Sequence, residues 1–491
     1  MAIESPSRTS AAQAAPPAAA SAPAGSRMST RSKLILMVLC AAQFIVALDF
    51  SILNVALPAL GDDLGMGQAD LQWAVTAFAL PSGGFLLFFG RLADLYGRRR
   101  LFLSGLALFT ASSVLATLAW DPASLLAGRA LQGLGAAMIV PTGMSLLTTT
   151  FTEGPQRERA LGISGTLMSL GFTIGMVLGG VMTDSLGWRS TMGLLAVAGV
   201  GVLLAAPGLL TESRRADRPR LDVPGAVTVT GGLLALIYAL STAAQRGFGR
   251  TDVVVTLVAG VVLLVAFAVV ESRAAEPLVS LPMLRRRTVA WGNLAGMMTF
   301  AMMSTVIFLL TLYLQEVLEL SAVLTGLIFG VQGVFAALAG MTAPKVIARF
   351  GARRTLIGGL LMQAVFTAAL LGVGADSGAW LALVAASLGC VGHLWAIVAY
   401  GVTATSGLPN GEQGLATGLV TSSQQVGMTV GIPLLSAVVS ARVAELRDGG
   451  SSFAEATLGG IRLGLGVDAA VVAAVAGLVT VGLRRRAAAG R

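Results

Sequence analysis

One carboxylate lies deep inside the first long apolar stretch of the chain. Asp49 follows Lys33, the last charge before it, by several helical turns. A helix rises about 1.5 Å per residue, so Asp49 would lie about 24 Å into a hydrocarbon layer about 30 Å thick. Because an ionised carboxylate is costly there, the residue predicts a protonatable site. The alternative is a polar side chain that is paired for structure or that reaches toward the surface.

A second charge is predicted at a similar depth on another apolar segment. Arg129 lies about 9 Å below the outer end of that segment. An arginine in lipid needs a partner, and Asp49 is level with it. We therefore predict a proton-coupling pair, in which Arg129 and a proton compete for the Asp49 carboxylate. A static ion pair that joins two helices is the alternative.

Two further acids, Glu316 and Asp468, lie near the outer ends of apolar segments. We expect both to be solvated there, and a second proton site is the alternative reading for either. The remaining polar side chains within apolar segments are interpreted mainly as hydrogen-bond partners between helices.

The composition indicates what kind of structural element holds these charged side chains. The chain has 491 residues, of which 55% are hydrophobic and only 12% are charged, and long apolar runs dominate it. This pattern predicts an all-α polytopic membrane protein. The predicted fourteen transmembrane helices span approximately residues 34–58, 72–90, 101–119, 124–147, 160–182, 191–210, 223–243, 253–270, 289–313, 322–344, 355–374, 379–405, 415–440 and 464–483.

The net charge of +9 does not indicate a nucleic-acid partner, because the arginines cluster in short loops between apolar segments. With the N-terminus inside, most of the 33 lysines and arginines fall on the inner side. Both termini are therefore expected to be cytoplasmic. A composition rich in Ala and Arg but poor in Lys favours a bacterial inner (plasma) membrane.

The chain also contains an internal repeat. A short basic turn around Gly97 matches a second one around Gly351, which indicates two related six-helix halves with two helices inserted between them. The predicted organisation is a disordered cytoplasmic tail at 1–33, an N-terminal half at 34–210, inserted helices and linkers at 211–288, a C-terminal half at 289–483 and a basic tail at 484–491.

Four stretches carry a resemblance to a known family. They are Leu48 to Pro58 followed by Gln72 and Trp73, Gly90 to Arg99 (GRLADLYGRR), Arg129 to Ala137 (RALQGLGAA), and Leu221 to Gly225 (LDVPG). Together they resemble the fourteen-helix drug:proton antiporter branch of the major facilitator superfamily, over essentially everything after residue 33. The resemblance implies the major facilitator fold and proton-coupled efflux of a drug or antibiotic.

The resemblance also implies roles for particular residues. Asn54, Gln132 and Trp73 are candidates for lining the cavity. A charge latch is implied at the loop after the second span, where the acid binds an arginine and a facing helix N-terminus in one conformation and releases them in the other. The latch residues are Gly90, Asp94, Gly97 and Arg98.

A glycine face on the fifth span is part of the same resemblance. Gly171, Gly175 and Gly179 recur every four residues, a spacing that lets helices pack closely. The resemblance implies that this face seals the interface between the halves against proton leak. Met176 stands where the family pattern has proline, which is a departure from the antiporter motif.

The favoured function is therefore secondary export of a small hydrophobic substrate, driven by protons, by a monomer in the lipid bilayer. The alternatives are export of a lipid or endogenous metabolite, a uniporter without proton coupling, or a sensor that keeps the fold. An enzyme or ATP-driven pump is not expected, since no phosphate-binding Gly-x-x-x-x-Gly-Lys loop is present. One histidine and two cysteines, all within apolar segments, predict no metal site and no cofactor.

Overall fold

The computed structural model describes residues 28–151, 155–212, 222–274, 281–375, 378–406 and 410–484. Most of both predicted tails, 1–27 and 485–491, lies outside these residues. Within them the regular structure is entirely helical. The helices are α1 (Thr30–Leu64), α2 (Gln68–Gly84), α3 (Leu86–Tyr96), α4 (Arg98–Thr117), α5 (Pro122–Thr150), α6 (Pro155–Leu186), α7 (Arg189–Leu209), α8 (Val223–Arg246), α9 (Thr251–Arg273), α10 (Leu281–Leu284), α11 (Arg287–Leu312), α12 (Ala322–Phe350), α13 (Ala352–Ala369), α14 (Trp380–Thr405), α15 (Asn410–Asp448) and α16 (Phe453–Gly482).

The predicted number of spans is confirmed. Thirteen helices of the described chain are long and apolar enough to cross a membrane, and the bent pair α2 and α3 makes the fourteenth. These two helices meet at 42° around Phe85, and Gly83, Gly84 and Pro81 precede the bend. Proline and adjacent small residues are the usual causes of such a kink.

The last two spans are longer than predicted. Helix α16 starts at Phe453 rather than at 464, behind a capping box formed by Ser452 and Glu455. Arg462 therefore lies inside the helix, where its Nε donates to the Val373 carbonyl at 2.8 Å. A charge ends an apolar run in the sequence, but the helix itself continues beyond that run, as also happens in α15, which runs to Asp448.

The two predicted halves correspond to α1–α7 and α11–α16. Within each half the helices pack mainly on one another, and α8 and α9 form a separate pair. Helix α8 packs against both α2 and α15, so the inserted pair lies along one boundary between the halves. The other boundary is formed by α6 and α12.

The internal repeat is visible in how the helices cross. Gly105 on α4 packs against Gly135 on α5, and Gly359 on α13 packs against Gly392 on α14. Gly105 and Gly359 lie at the same distance along the chain from Gly97 and Gly351. The two halves therefore contain the same close helix crossing at the same place.

The contact between α6 and α12 runs along one face of each helix. We call the end where α1 begins and α16 ends the terminal face, and the opposite end the distal face. Antiparallel α6 and α12 are in contact from Gly180 and Ala322 at the distal end to Thr173 and Gly333. Two turns farther along the same face of α12, a Cβ on Gly340 would meet no atom of the described residues within 4 Å.

Two hydrogen bonds join the halves near the distal face. The Asp184 carboxylate of α6 accepts from the backbone N–H of Val323 at 3.1 Å, in the first turn of α12. The Gln315 side chain, in the π-helical turn Tyr313–Val317 that follows α11, donates to the Val55 carbonyl of α1 at 3.1 Å. An acid at a helix N-terminus is favoured by the helix dipole.

The glycine crossings predict a position-specific cost of adding a methyl group. A Cβ on Gly392 would lie 2.6 Å from the Gly359 carbonyl oxygen, whereas one on Gly401 of the same helix would meet nothing within 4 Å. Gly392→Ala is therefore expected to cost about 1–3 kcal/mol through overpacking. Gly401→Ala should instead stabilise by about 0.5–1 kcal/mol through helix propensity. Thermal unfolding of the purified protein in detergent compares the two, and equal midpoints would contradict this packing.

Candidate functional site

Asp49 and Arg129 form an ion pair in the middle of the N-terminal half. The Arg129 Nη1 lies 2.5 Å from the Asp49 Oδ1, and the side chains are 1% and 0% exposed. The sequence prediction that these charges lie level and pair is consistent with this geometry. A pair removed so completely from water is costly to separate, because either partner alone would be an uncompensated buried charge.

Arg129 makes two further contacts with α2 and one with Gln132 of its own helix. Its Nε donates to the Ala74 carbonyl of α2 at 3.1 Å, and its Nη1 donates to the Gln132 Oε1 at 3.0 Å. Its guanidinium also lies 4.6 Å from the centre of the Phe78 ring, which is within cation–π range. The Gln132 amide in turn donates to the Ser113 hydroxyl of α4 at 2.8 Å. One side chain thus links α1, α2, α4 and α5.

Small residues on α5 make these contacts reachable. A Cβ on Gly133 would clash with the Phe78 carbonyl oxygen of α2. On the other side of α5, Gly128 packs against Ala116 of α4, and Gly135 packs against Gly105. Close backbone approach of this kind is typical of helix packing in membranes. It brings the Ala74 carbonyl and the Phe78 ring within reach of the arginine.

The second oxygen of Asp49 is different. Oδ1 accepts the arginine hydrogen bond, whereas Oδ2 is buried and has no hydrogen-bond partner among the described residues. A carboxylate with one oxygen engaged and the other open can accept a proton on the open oxygen, which would remove its charge and weaken its hold on the arginine. The site therefore has the chemistry of a proton acceptor beside a competing cation.

The predicted cavity residues are not all at this site. Gln132 belongs to the network around Arg129. Asn54 is buried, but its amide donates to the Phe50 carbonyl of its own helix at 2.7 Å. Trp73 lies apart, with its ring 5.9 Å from that of Tyr238 on the inserted helix α8.

Sequence reasoning missed several contacts of the site. Ser113, the Ala74 carbonyl and the placement of Phe78 against Arg129 carry no charge or motif that would single them out. Only the rotation of α2 and α4 about their axes brings them to the arginine, and no pattern in the sequence gives that rotation. The described residues contain no cluster of three His, Cys, Asp or Glu side chains that could hold a metal ion.

The C-terminal half has a neutral cluster on the corresponding helices. The Thr299 hydroxyl of α11 donates to the Gln363 Oε1 of α13 and lies 2.9 Å from the Nδ1 of His393 on α14. The His393 ring also meets the Phe300 ring edge-on at 5.3 Å. Helices α11, α13 and α14 are the counterparts of α1, α4 and α5, so each half has a buried polar centre, but only the first one is an ion pair.

The loop between α3 and α4 lies at the terminal face. Gly97 has a φ of 114°, and a Cβ there would lie 2.7 Å from the Glu212 carboxylate carbon. That carboxylate accepts from the backbone N–H groups of Arg99 and Arg100 at 3.1 and 3.3 Å. It thus occupies the N-terminus of α4, an arrangement that the sequence did not predict. Gly90 lies against Pro141 of α5.

The other two members of the predicted latch lie on α3 and α4. The backbone of Asp94 belongs to α3, but its side chain lies outside the described residues. Arg98 begins α4.

The glycine face of α6 packs differently from what the resemblance implies. Gly171 contacts Phe44, Gly175 contacts Ser51 and Leu48, and Gly179 contacts Ile52. All of these partners are on α1, so the expectation that this face lies between the halves is wrong. The adjacent face, with Met176 and Gly180, makes the contact with α12. Four-residue spacing identifies a packing face but does not identify its partner helix.

Comparison with known proteins places these features in a family. Residues 39–432 match the family model described as Major Facilitator Superfamily. The chain is 39% identical over 414 residues to a cephamycin export protein of Amycolatopsis lactamdurans. The alignment covers 82% of this chain and 84% of that protein. It is 37% identical over 429 residues to a puromycin resistance protein of Streptomyces alboniger, covering 85% and 84%.

A solved structure has the same fold. The crystal structure of a POT family transporter superposes with a TM-score of 0.68 and covers 92% of this chain and 97% of that chain. At 13% sequence identity, this likeness concerns the fold alone.

The ion pair predicts non-additive losses of stability. Asp49→Asn or Arg129→Gln alone is expected to cost about 3–5 kcal/mol, because each leaves a buried charge without its partner. The double variant should cost less than the sum, with a coupling energy of about 0.5–3 kcal/mol. Thermal unfolding of the four proteins in detergent measures this cycle, and strictly additive losses would mean that the two side chains do not interact.

Proposed function

The chain belongs to the Major Facilitator Superfamily, and from that premise we propose that it exports a small hydrophobic drug, antibiotic or secondary metabolite in exchange for protons. The family consists of membrane transporters and not of enzymes. The observation that carries proton coupling is the buried Asp49–Arg129 pair whose Oδ2 has no partner among the described residues. The relatives that export cephamycin and confer puromycin resistance support the substrate class.

Coupling follows from competition at one carboxylate. While Asp49 is ionised, it holds Arg129, and α1 and α5 stay joined. A proton on Oδ2 removes the charge that Arg129 balances, so the arginine retains Gln132, the Ala74 carbonyl and the Phe78 ring, none of which is an anion. An arginine without a counter-ion is unfavourable in the membrane, and this destabilises the resting arrangement of the two helices. Protonation thereby biases the halves toward a second arrangement.

The contacts between the halves suggest which arrangement is present. On the α6–α12 boundary the described contacts lie toward the distal face, from Gly180 to Gly333, and a Cβ on Gly340 would contact none of the described residues. With both termini in the cytoplasm, as the arginine distribution favours, this is an inward-facing state in which substrate enters from the cytoplasm. Export then requires the bonds of Asp184 and Gln315 to break as the distal side opens.

One chain contains both halves, so a monomer is sufficient for this cycle. A uniporter of the same fold would lack proton coupling, and a lipid or endogenous metabolite remains the alternative substrate. No described feature of the site favours either alternative over proton-driven export.

Replacement of Asp49 tests the coupling. In proteoliposomes with an imposed pH gradient, wild type is expected to accumulate puromycin against its gradient, and Asp49→Asn is expected to lose this accumulation. Puromycin exchange down its own gradient should persist in the variant and shows that it is folded. Asp252→Asn, at an exposed carboxylate that starts α9, is the matched control and should accumulate puromycin normally. Accumulation by Asp49→Asn would exclude the residue from coupling.

The two repeat glycines test the gating role of the loop after α3. Gly97 and Gly351 both have a positive φ, 114° and 81°, so an alanine is strained at either site. Only at Gly97 would the new Cβ meet a group, the Glu212 carboxylate. Gly97→Ala is therefore expected to slow puromycin transport several-fold more than Gly351→Ala, at equal amounts in the membrane. Equal rates would contradict a gate at Gly97.

A further inference from the structure

Another buried acid lies in the C-terminal half, and the coupling mechanism proposed above gives it no role. Asp468 is 0% exposed and stands in the middle of α16, one turn beyond the point where Gly464 packs against Leu309 of α11 and Val439 of α15. The sequence expectation that Asp468 is solvated is therefore wrong. The sequence predicts a span that begins at 464, close to this residue, whereas α16 begins at Phe453.

Neither carboxyl oxygen of Asp468 has a hydrogen-bond partner among the described residues. On α11, one turn from Leu309, the Thr305 hydroxyl donates to the Ala301 carbonyl of its own helix at 2.9 Å. Asp468 thus differs from Asp49, whose Oδ1 is held by an arginine.

The elements that pack on α16 also supply no described counter-ion at this level. These elements are α11, α13, α15 and the short turns after α11 and α13. Their described charged or titratable side chains lie toward one end of the bundle or the other, away from the level of Asp468. Those at the terminal face are Arg287, Arg353 and Arg354, and those toward the distal face are Tyr313, Glu316, Arg442, Glu445, Arg447 and Asp448.

An ionised carboxylate without a partner is strongly disfavoured in such surroundings, and the group neutralises instead. A neutral aspartic acid has bound a proton. Ionisation then needs water or a cation to reach the residue, which requires the packing of α16 to change. A carboxyl group in this environment would hold a proton in one arrangement of the helices and release it in another.

We propose that Asp468 is a second proton-binding site, protonated in this conformation, whose proton is exchanged during transport. The role in transport rests on the proposed function. Asp49 and Asp468 are then in opposite states at the same time. Asp49 is ionised and paired with Arg129, and Asp468 is neutral, so each half has a carboxyl group that changes its charge when the conformation changes.

Infrared difference spectroscopy of the reconstituted full chain tests the bound proton without requiring transport. A protonated carboxyl has a C=O stretching band that an ionised carboxylate and an amide lack. Wild type minus Asp468→Asn at neutral pH should contain this band, shifted in heavy water. The same subtraction with Asp49→Asn or with Glu445→Gln, an exposed acid, should not contain it. A spectrum of Asp468→Asn without the loss of this band would overturn the proposal.

Proton counting tests the exchange. Wild-type vesicles loaded with a pH-sensitive dye report how many protons move for each puromycin molecule. Asp468→Asn is expected to move one proton fewer per puromycin while it still transports the drug, and Glu445→Gln should match wild type. An unchanged ratio would leave Asp468 as a neutral structural acid and overturn its role in exchange. If wild type moves puromycin without moving protons, the proposed function fails, and the exchange with it, whereas the infrared band still reports the bound proton.

Discussion

The ion pair between Asp49 and Arg129 is the interaction on which the N-terminal half depends. Two charges in an apolar interior must be paired and hydrogen-bonded, or the fold loses several kcal/mol. The close crossings at Gly133 and Gly135 meet this requirement, since they bring α2 and α4 near enough for the Ala74 carbonyl and the Gln132–Ser113 bond to complete the network. Burial makes the pair costly to break. It also makes protonation of Asp49 a large perturbation of the pair, because a single proton removes one of the two charges.

The two halves use one architecture for different chemistry. Corresponding helices cross at Gly105–Gly135 and at Gly359–Gly392. In the first half the polar centre is charged, and in the second it is the neutral cluster of Thr299, Gln363 and His393, with the acid Asp468 placed separately on α16. Such an asymmetry suits an antiporter, because repeats with identical charge would respond to a proton in the same way and at the same time.

Much of the fold was predictable from the sequence, and the reasons are physical. Helix rise and membrane thickness placed Asp49 and Arg129 at one depth, and apolar length with the charges that end each run predicted the number of spans. Rotation about a helix axis was not predictable, so the partner of the glycine face at Gly175 and the contact of Trp73 with Tyr238 were found only in the structure. The sequence also does not show how far a helix extends beyond its apolar run. For that reason the sequence predicts Asp468 to be in water, although it is buried in the structure.

The most direct test of the account drives the cycle backward. Vesicles that contain the protein receive a puromycin gradient and no proton gradient, and internal pH is followed. If the Asp49 carboxylate couples the two fluxes, puromycin moving down its gradient will drive protons the opposite way and create a pH difference in wild type. Asp49→Asn vesicles will exchange puromycin without any pH change. Downhill puromycin movement in wild type with no movement of protons would contradict the account and leave Asp49 and Arg129 as a static pair between two helices.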